Sequence, residues 1–395
     1  MSQTPGTEDK TSKRTIRVFA LASFFNDFGS DIIYPIWPLF VTSVLGANMA
    51  VLGLLDGLGD AIVSLSQAAS GYASDRIRKR KVFIWLGYLF GSLSRIGYAL
   101  STMWQHLIPF RIFDRMGKMR SAPRDAIVAD VSTDQNRGKS FGILRSMDNL
   151  GAVCGVLFCI AFFHLGYKNL FLLAAIPSAI AVALILAFIK EQPQRASRAF
   201  KGLSLSHLDK NFWLFLILSS FFALGSFSYS FLLIYATGFG VRESFVPILY
   251  LVFTVLAAAL SLPFGRLSDI IGRKRVLLLA FLAWALTCLG FVILQKPWMT
   301  FVCFVFYGVH KAALEPVQKT LVAELAPAEF RASTLGGFQM VIGLCAFPSS
   351  LLAGLLWYNV DKNAPLYLSI ALTVLSAVLL LFVRERRQSS FSASR

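Results

Sequence analysis

Charged residues recur inside the long apolar runs of this chain. Asp27 and Asp31 lie one helical turn apart, as do Asp56 and Asp60, so each pair shares a helix face. Arg111, Asp114, Arg115 and Lys118 are spaced by three or four residues and also share a face. Arg145, Asp148 and Asn149 form another group, and Asn26 and Arg95 stand in apolar runs of their own. Further on come His310, Lys311 and Glu315, then Gln339. Ionisable groups in membrane-spanning runs are costly and mark binding or proton-transfer sites. Two guanidinium groups on one face can clamp carboxylate or phosphate oxygens. A neighbouring arginine favours the charged form of a carboxylate and burial disfavours it, so a change of exposure can load or release a proton.

These residues give two sets of candidates. Arg111, Arg115, Asn26, Glu315 and Gln339 are expected to bind a solute. Asp27, Asp31, Asp114 and Asp148 are expected to carry a proton, with Asp27 or Asp31 first. Plainer readings stand beside them. Asp27 and Asp31 pair with Arg111 or Arg115 in a fixed network. Asp56 and Asp60 are partly wet near the outer mouth. Arg95 packs or snorkels. Lys118, Arg120, Arg124 and Asp125 form a solvated face. Lys311 and Glu315 neutralise each other beside a kink at Pro316. Phe227, Tyr229 and Tyr235 offer neutral contacts.

The elements that position these groups follow from composition. Of 395 residues, 56% are apolar and 15% are charged. An average soluble protein is about 25% charged. This balance excludes a disordered chain and disfavours a soluble domain. Spans of about 20 residues are expected at 16–44, 49–73, 82–101, 104–128, 140–163, 168–189, 211–237, 245–267, 275–294, 298–325, 333–357 and 365–383. Hydropathy alone is expected to miss the first, fourth and tenth, which contain charges and prolines. The runs are continuous and do not alternate, so they predict helices and not a barrel.

The net charge is +17. The basic residues fall in alternate connections: Arg76 to Lys81, Arg137 and Lys139, Arg195 to Lys201, Arg273 to Arg275, and Arg384 to Arg387. The intervening connections hold Lys168, Arg242, Lys296 and Lys362. This bias predicts that both termini are cytoplasmic. It also explains the basic balance without nucleic acid. The five cysteines lie in apolar runs and are read as packing residues, with no metal site. Residues 1–14 are polar, so no cleavable signal peptide is expected.

An internal repeat divides the chain. Gly71 and Asp75 match Gly265 and Asp269 at an offset of 194 residues. Lys79-Arg80-Lys81 match Arg273-Lys274-Arg275 at that offset, and Asp130 and Arg137 match Glu324 and Arg331. The expected organisation is a polar tail at 1–15, a six-helix half at 16–190, a linker at 191–210, a second half at 211–384 and a tail at 385–395.

These repeats resemble the major facilitator superfamily along nearly the whole chain. The most specific feature is the loop pattern G-x-L-x-D-R/K-x-G-R/K-R/K-R/K. Gly265 to Arg275 depart from it only at Ile270, and Gly71 to Lys81 carry Ala73 and Arg78 at the Leu and Gly positions. The resemblance implies an all-α membrane protein of twelve transmembrane helices, in two six-helix pseudo-repeat halves around a central cavity. It implies that Gly71, Asp75, Arg76, Lys79, Arg80, Gly265, Asp269, Arg273 and Lys274 form cytoplasmic gating loops, with the two aspartates as latches. Its exporters carry G-x8-G-x3-G-P-x-x-G-G on the fifth helix. Here Gly142, Gly151 and Gly155 keep that spacing, but Val156 replaces the proline.

The function expected is secondary transport of a small anionic or zwitterionic solute, such as an organic acid or a siderophore-type chelate. Coupling to protons across a bacterial inner membrane by a monomer is expected, without cofactor or metal. A proton-antiport exporter of drugs or cations is the alternative, and a transport-dead receptor is the alternative of another class. No P-loop or zinc-binding H-E-x-x-H motif is present, and no enzymatic activity is expected.

Overall fold

The computed structural model describes residues 5–133, 136–191, 208–294, 296–327 and 331–385, without the side chains of 5–11, 75 and 331–333. Most of the expected linker (192–207), the C-terminal tail beyond Glu385 and the Asp75 side chain lie outside the described residues. Every regular element described is helical.

Twelve helical spans are present among the described residues. In the first half, α1 runs over Pro5–Ile33 and continues as Trp37–Leu39 and Phe40–Val44. It is followed by α2 (Met49–Ile77), α3 (Arg80–Leu100) and α4, made of Trp104–Met116, Gly117–Arg120 and Ser121–Val131. Then come α5 (Arg137–Ala161) and α6 (Tyr167–Phe188). In the second half, α7 comprises Lys210–Gly225 and Tyr229–Gly238. The rest are α8 (Val246–Ile271), α9 (Arg273–Ile293), α10 (Pro297–Leu325), α11 (Arg331–Asn359) and α12 (Ala364–Phe382). Helix α1 begins inside the stretch expected to be a polar tail. Helix α10 passes through Pro316 without a break.

Eight of the twelve are long and apolar enough to cross a bilayer by length and composition. The other four are α1, α3, α4 and α10. Helix α3 joins the three expected to be missed. It carries Arg80, Lys81 and Arg95, and Arg95 is almost fully buried.

Local signals set the breaks. Pro35 and Pro38 interrupt α1, since proline lacks the N–H that the ladder needs. Asn48 caps α2 by accepting the Val51 N–H at 3.0 Å. Prolines 247, 297 and 365 occupy the first turns of α8, α10 and α12, where their missing N–H costs nothing. Helix α7 breaks at Ser226–Ser228, where Ser228 caps the second segment.

The halves meet tightly at one end. A Cβ on Gly53 of α2 would collide with the Ser350 carbonyl oxygen of α11, and one on Gly57 would lie 2.7 Å from the Phe347 carbonyl oxygen. Only a hydrogen in place of the side chain permits this approach. At the other end, a Cβ on Gly142, Gly265 or Gly336 would meet nothing within 4 Å. The bundle is thus closed at the α1–α2 end and open at the α2–α3 end. Gly71 and Gly265 make no such close approach in this state: a Cβ on Gly71 would meet only Ala122, at 3.5 Å.

The two α2–α3-type turns follow the repeat in their backbones. Arg78 has φ 57° and ψ 30°, and is the one non-glycine residue with positive φ among those described. Gly272, at the equivalent position, has φ 98° and ψ 152°. Arg78 therefore occupies the left-handed region, which costs a residue with a Cβ about 1–2 kcal/mol. The Gly272 conformation is essentially restricted to glycine. Arg78→Gly should raise the thermal midpoint of the detergent-purified protein, by up to about 1 kcal/mol of stability after the added chain entropy. Gly272→Ala should lower it by about 1–3 kcal/mol. An unchanged midpoint in Gly272→Ala would refute this account of the turn.

Candidate functional site

A cavity of ≈ 360 Å³ lies between the halves. Its charged lining comes from Asp56 and Asp60 on α2, Arg111 and Arg115 on α4, and Lys311 on α10. Tyr34, Tyr229, Tyr250 and Tyr307 add aromatic walls.

One buried ion pair fixes the closed end of this cavity. Arg111 Nη2 lies 2.6 Å from Asp56 Oδ1, with both side chains 3% exposed. The Trp37 indole N–H donates to the same oxygen at 2.9 Å, and the Ser228 hydroxyl donates to Asp56 Oδ2 at 2.7 Å. The Arg111 guanidinium also stacks on the Trp37 ring, 4.3 Å from its centroid. Asp56 is thus deeply buried, contrary to the expectation of a partly wet group. Its pairing also replaces the expected pairing of Asp27 or Asp31 with Arg111. Helical spacing placed Arg111 on the correct face but could not choose between carboxylates on α1 and α2.

Three further charges line the cavity. The Asp60 carboxylate has neither an ion pair nor a hydrogen-bond donor among the described residues. Arg115 lies 3.6 Å from Asp114 and 5.1 Å from the Tyr34 ring centroid, and its Nε has no hydrogen-bond partner. Lys311 Nζ lies 5.7 Å from the Tyr307 centroid and has no ion pair among the described residues. The Asp56–Arg111 pair cancels itself, which leaves Asp60, Lys311 and an Arg115 shared with Asp114 to set the charge of the cavity.

The other candidates fall elsewhere. Asn26 is buried within the first half, where it donates to Asp27 at 2.8 Å and accepts from Ser178 at 3.1 Å. It does not reach the cavity. Glu315 and Gln339 are exposed and do not line it, whereas Gln318, one turn along α10, does. Phe227 and Tyr229 line the cavity, but Tyr235 packs against Trp357 with centroids 4.1 Å apart. Arg95 ties α3 to α1 and α6 by donating to the Ala174 carbonyl at 2.7 Å and to Ser30 at 2.7 Å. It also donates to the Ser178 hydroxyl.

The proton candidates differ in their partners. Asp27 lies 3.8 Å from Arg120, Asp114 lies 3.6 Å from Arg115, and Asp148 lies 3.3 Å from Arg145 and 3.7 Å from Arg124. Arg120 and Arg124 are buried, not part of a solvated face. Asp31 is buried and has no ion pair among the described residues. It accepts one hydrogen bond at 3.0 Å, from the Tyr250 hydroxyl of α8, in the opposite half. The small residues of α5 serve helix packing: Cβ atoms on Gly151 and Gly155 would collide with the Phe24 and Phe28 carbonyl oxygens of α1.

The loop residues form paired clasps at the open end. Arg80 pairs with Asp130, and Arg273 pairs with Glu324 at 3.0 Å and with Asp269. Arg76 and Lys79 are exposed. Lys274 Nζ donates to the Leu381 carbonyl at 2.8 Å. Two further carboxylates complete the clasps. Glu191, just past α6, accepts the Arg80 N–H at 2.6 Å, and Glu385, just past α12, accepts the Lys274 N–H. Each caps a helix N-terminus, where backbone N–H groups lack partners. They are separated by the same 194 residues, so the repeat register held the signal that would have found them.

Two pseudo-repeated six-helix halves around a charged cavity, open at one end only, define a membrane carrier fold. The family model of the Major Facilitator Superfamily matches residues 19–251 and 214–395. An uncharacterized MFS-type transporter of Methanocaldococcus jannaschii is 35% identical over 386 residues, covering 95% of this chain and 96% of that protein. The chain belongs to the major facilitator superfamily and is a membrane transporter of that kind. The quinolone resistance protein NorA of Staphylococcus aureus is 22% identical, covering 94% of this chain and 97% of that one. Among solved structures, a mutant of the nucleoside transporter NupG has the same fold, with a TM-score of 0.80 at 15% identity, covering 94% of this chain and 100% of its own.

Removing one partner of the buried pair should be costly. Asp56→Asn and Arg111→Gln should each lower stability by about 3–5 kcal/mol. The double variant should lose much less than the sum of the two, as read by chemical or thermal unfolding. Arg115→Gln should cost less than either. Additive losses at 56 and 111 would contradict the pairing.

Proposed function

We propose that the protein moves a small anionic or zwitterionic organic solute across the inner membrane by alternating access, coupled to protons. An organic acid or a carboxylate-type metal chelate fits this description. The observation that carries the reading is the pair of cations, Arg115 in one half and Lys311 in the other, facing one cavity, of which Arg115 also lies 3.6 Å from Asp114. An anion held by both would draw the halves together around it. The loop bias supports an open end that faces the cytoplasm, and on that reading the state described is inward-open. Asp31 is the preferred proton carrier, because it bridges the halves through Tyr250 and has no ion pair of its own.

The similarity to NorA favours a second reading, proton-driven export of drugs. The cavity fits that reading through Asp60 and its aromatic walls. Accumulation in proteoliposomes under an imposed proton gradient separates uptake from export.

Reporter fusions after residues 200 and 395 should both read cytoplasmic, and a periplasmic signal at either would overturn the orientation. Arg115→Gln should weaken binding of an anionic solute by about 10-fold or more, with a larger effect as the solute gains negative charge. Asp31→Asn should abolish accumulation driven by a proton gradient while solute exchange persists. Gradient-driven accumulation by Asp31→Asn would remove Asp31 from the coupling step.

A further inference from the structure

We propose that the cavity selects aromatic zwitterions. The solute's anionic group lies between Arg115 and Lys311, its ammonium meets Asp60, and its ring lies among Tyr34, Tyr229 and Tyr307. This rests on the anionic or zwitterionic reading above and narrows it.

The argument begins with Asp60. Its carboxylate faces the cavity without an ion pair or a hydrogen-bond donor among the described residues. The neighbouring Asp56 is fully engaged by Arg111, Trp37 and Ser228, so no second carboxylate competes for a cation there. A half-buried carboxylate without a partner is unfavourable. A solute ammonium supplies the partner and removes the repulsion that a purely anionic solute would meet at Asp60. Arg115 lies beside Asp60 on the same wall: a Cβ on Gly59 would sit 3.1 Å from Arg115 Cγ. Lys311 faces them from the other half. The cavity thus presents one carboxylate and two cations, of which Arg115 is shared with Asp114, and this matches a molecule carrying both signs.

The walls add a requirement for shape. Tyr34 already carries the Arg115 guanidinium near its ring, and Tyr307 carries the Lys311 ammonium. Tyr229 packs edge-on to Tyr250, with centroids 5.3 Å apart. Rings held in this way offer faces and edges to another ring and to a cation. An aliphatic zwitterion would satisfy the charges but forgo the ring contacts.

Four probes that differ in one feature test this by calorimetric titration of the purified full-length protein. They are para-(aminomethyl)benzoate, which is an aromatic zwitterion; para-toluate, which lacks the ammonium; the methyl ester of the first, which lacks the carboxylate; and the cyclohexane analogue of the first, which lacks the ring. The aromatic zwitterion should bind about 10-fold tighter than each of the others. Asp60→Asn should bring it within about 3-fold of para-toluate, and Asp60→Glu should restore the preference. If para-toluate binds as tightly as the zwitterion, the anionic reading stands and the role of Asp60 falls. If the methyl ester binds tightest, both fall. If the cyclohexane analogue matches the aromatic zwitterion, the aromatic requirement falls. Binding of none of the four overturns the proposal, as does a zwitterion preference that survives Asp60→Asn.

Discussion

Arg111 and Asp56 are held together out of water, and the arrangement around the cavity depends on that pair. In a medium of low dielectric, an unpaired charge at either position would be strongly unfavourable. The pair persists because its remaining valences are filled by Trp37 from α1, by Ser228 from the break in α7, and by the Trp37 ring face. Four spans therefore converge on one carboxylate. The α7 break follows from the same requirement. A continuous helix would spend the Ser228 backbone in the ladder, whereas the break lets its hydroxyl cap Tyr229–Gly238 and reach Asp56. Neutralising Arg111 has a further effect: the field in the cavity is left to Asp60, Arg115 and Lys311.

The same cluster also sets the cost of opening the closed end. Across the halves run the hydrogen bonds Ser228 to Asp56, Tyr250 to Asp31, the Tyr229 hydroxyl to the Tyr34 carbonyl at 3.3 Å, and, more exposed, the Tyr167 hydroxyl to Glu243 at 2.7 Å. Each contributes about 0.5–1.5 kcal/mol net, and somewhat more where the acceptor is charged. Together they amount to a few kcal/mol, within reach of a bound solute or proton that prefers one state. The α2–α11 seam adds close packing around Gly53 and Gly57 without adding buried charge. Such a seam can part without leaving an ion stranded, and that suits a surface that must open and close.

The sequence disclosed the helices, their number and the repeat, because a lipid environment forces continuous apolar runs and the loops repeat their charges in register. It did not disclose which charges meet. Spacing assigns residues to a face of their own helix, but the partner lies on another helix whose rotation spacing does not report. Asp56 was placed near water from its distance to the span end, yet Trp37 and Ser228 seal it. Asn26 shares a helix with Asp27 and Asp31 but points into the first half, toward Ser178. The spacing of Lys311 and Glu315 suggests a pair, but Lys311 faces the cavity and Glu315 does not line it. Arg78 at a glycine position was visible as a departure, and the backbone explains why an arginine is tolerated there and would not be at Gly272. Glu191 and Glu385 stand in register, but they lie just outside the apolar runs, where composition does not mark them.

The repeat survives at the ends of the helices and not in their middles. At the open end, both halves carry the same carboxylate cap, and each has an arginine clasp to the fourth or tenth span, made by Arg80 in the first half and by Arg273, one position out of register, in the second. Those contacts answer a local need: helix N-termini and turns must be satisfied wherever they occur. In the interior the halves diverge. The first half supplies Asp56, Asp60, Arg111 and Arg115 to the cavity, while the second supplies Lys311, Ser228 and much of the aromatic surface. A symmetric cavity would place like charges opposite each other and hold the halves apart. The asymmetric one places a single cation opposite a wall of mixed charge, so that a molecule of matching polarity can link the halves. On the proposed function, closure around the solute would then be driven by Lys311 and Asp60, which have no ion pair among the described residues, and by Arg115, which would share its charge between Asp114 and the solute.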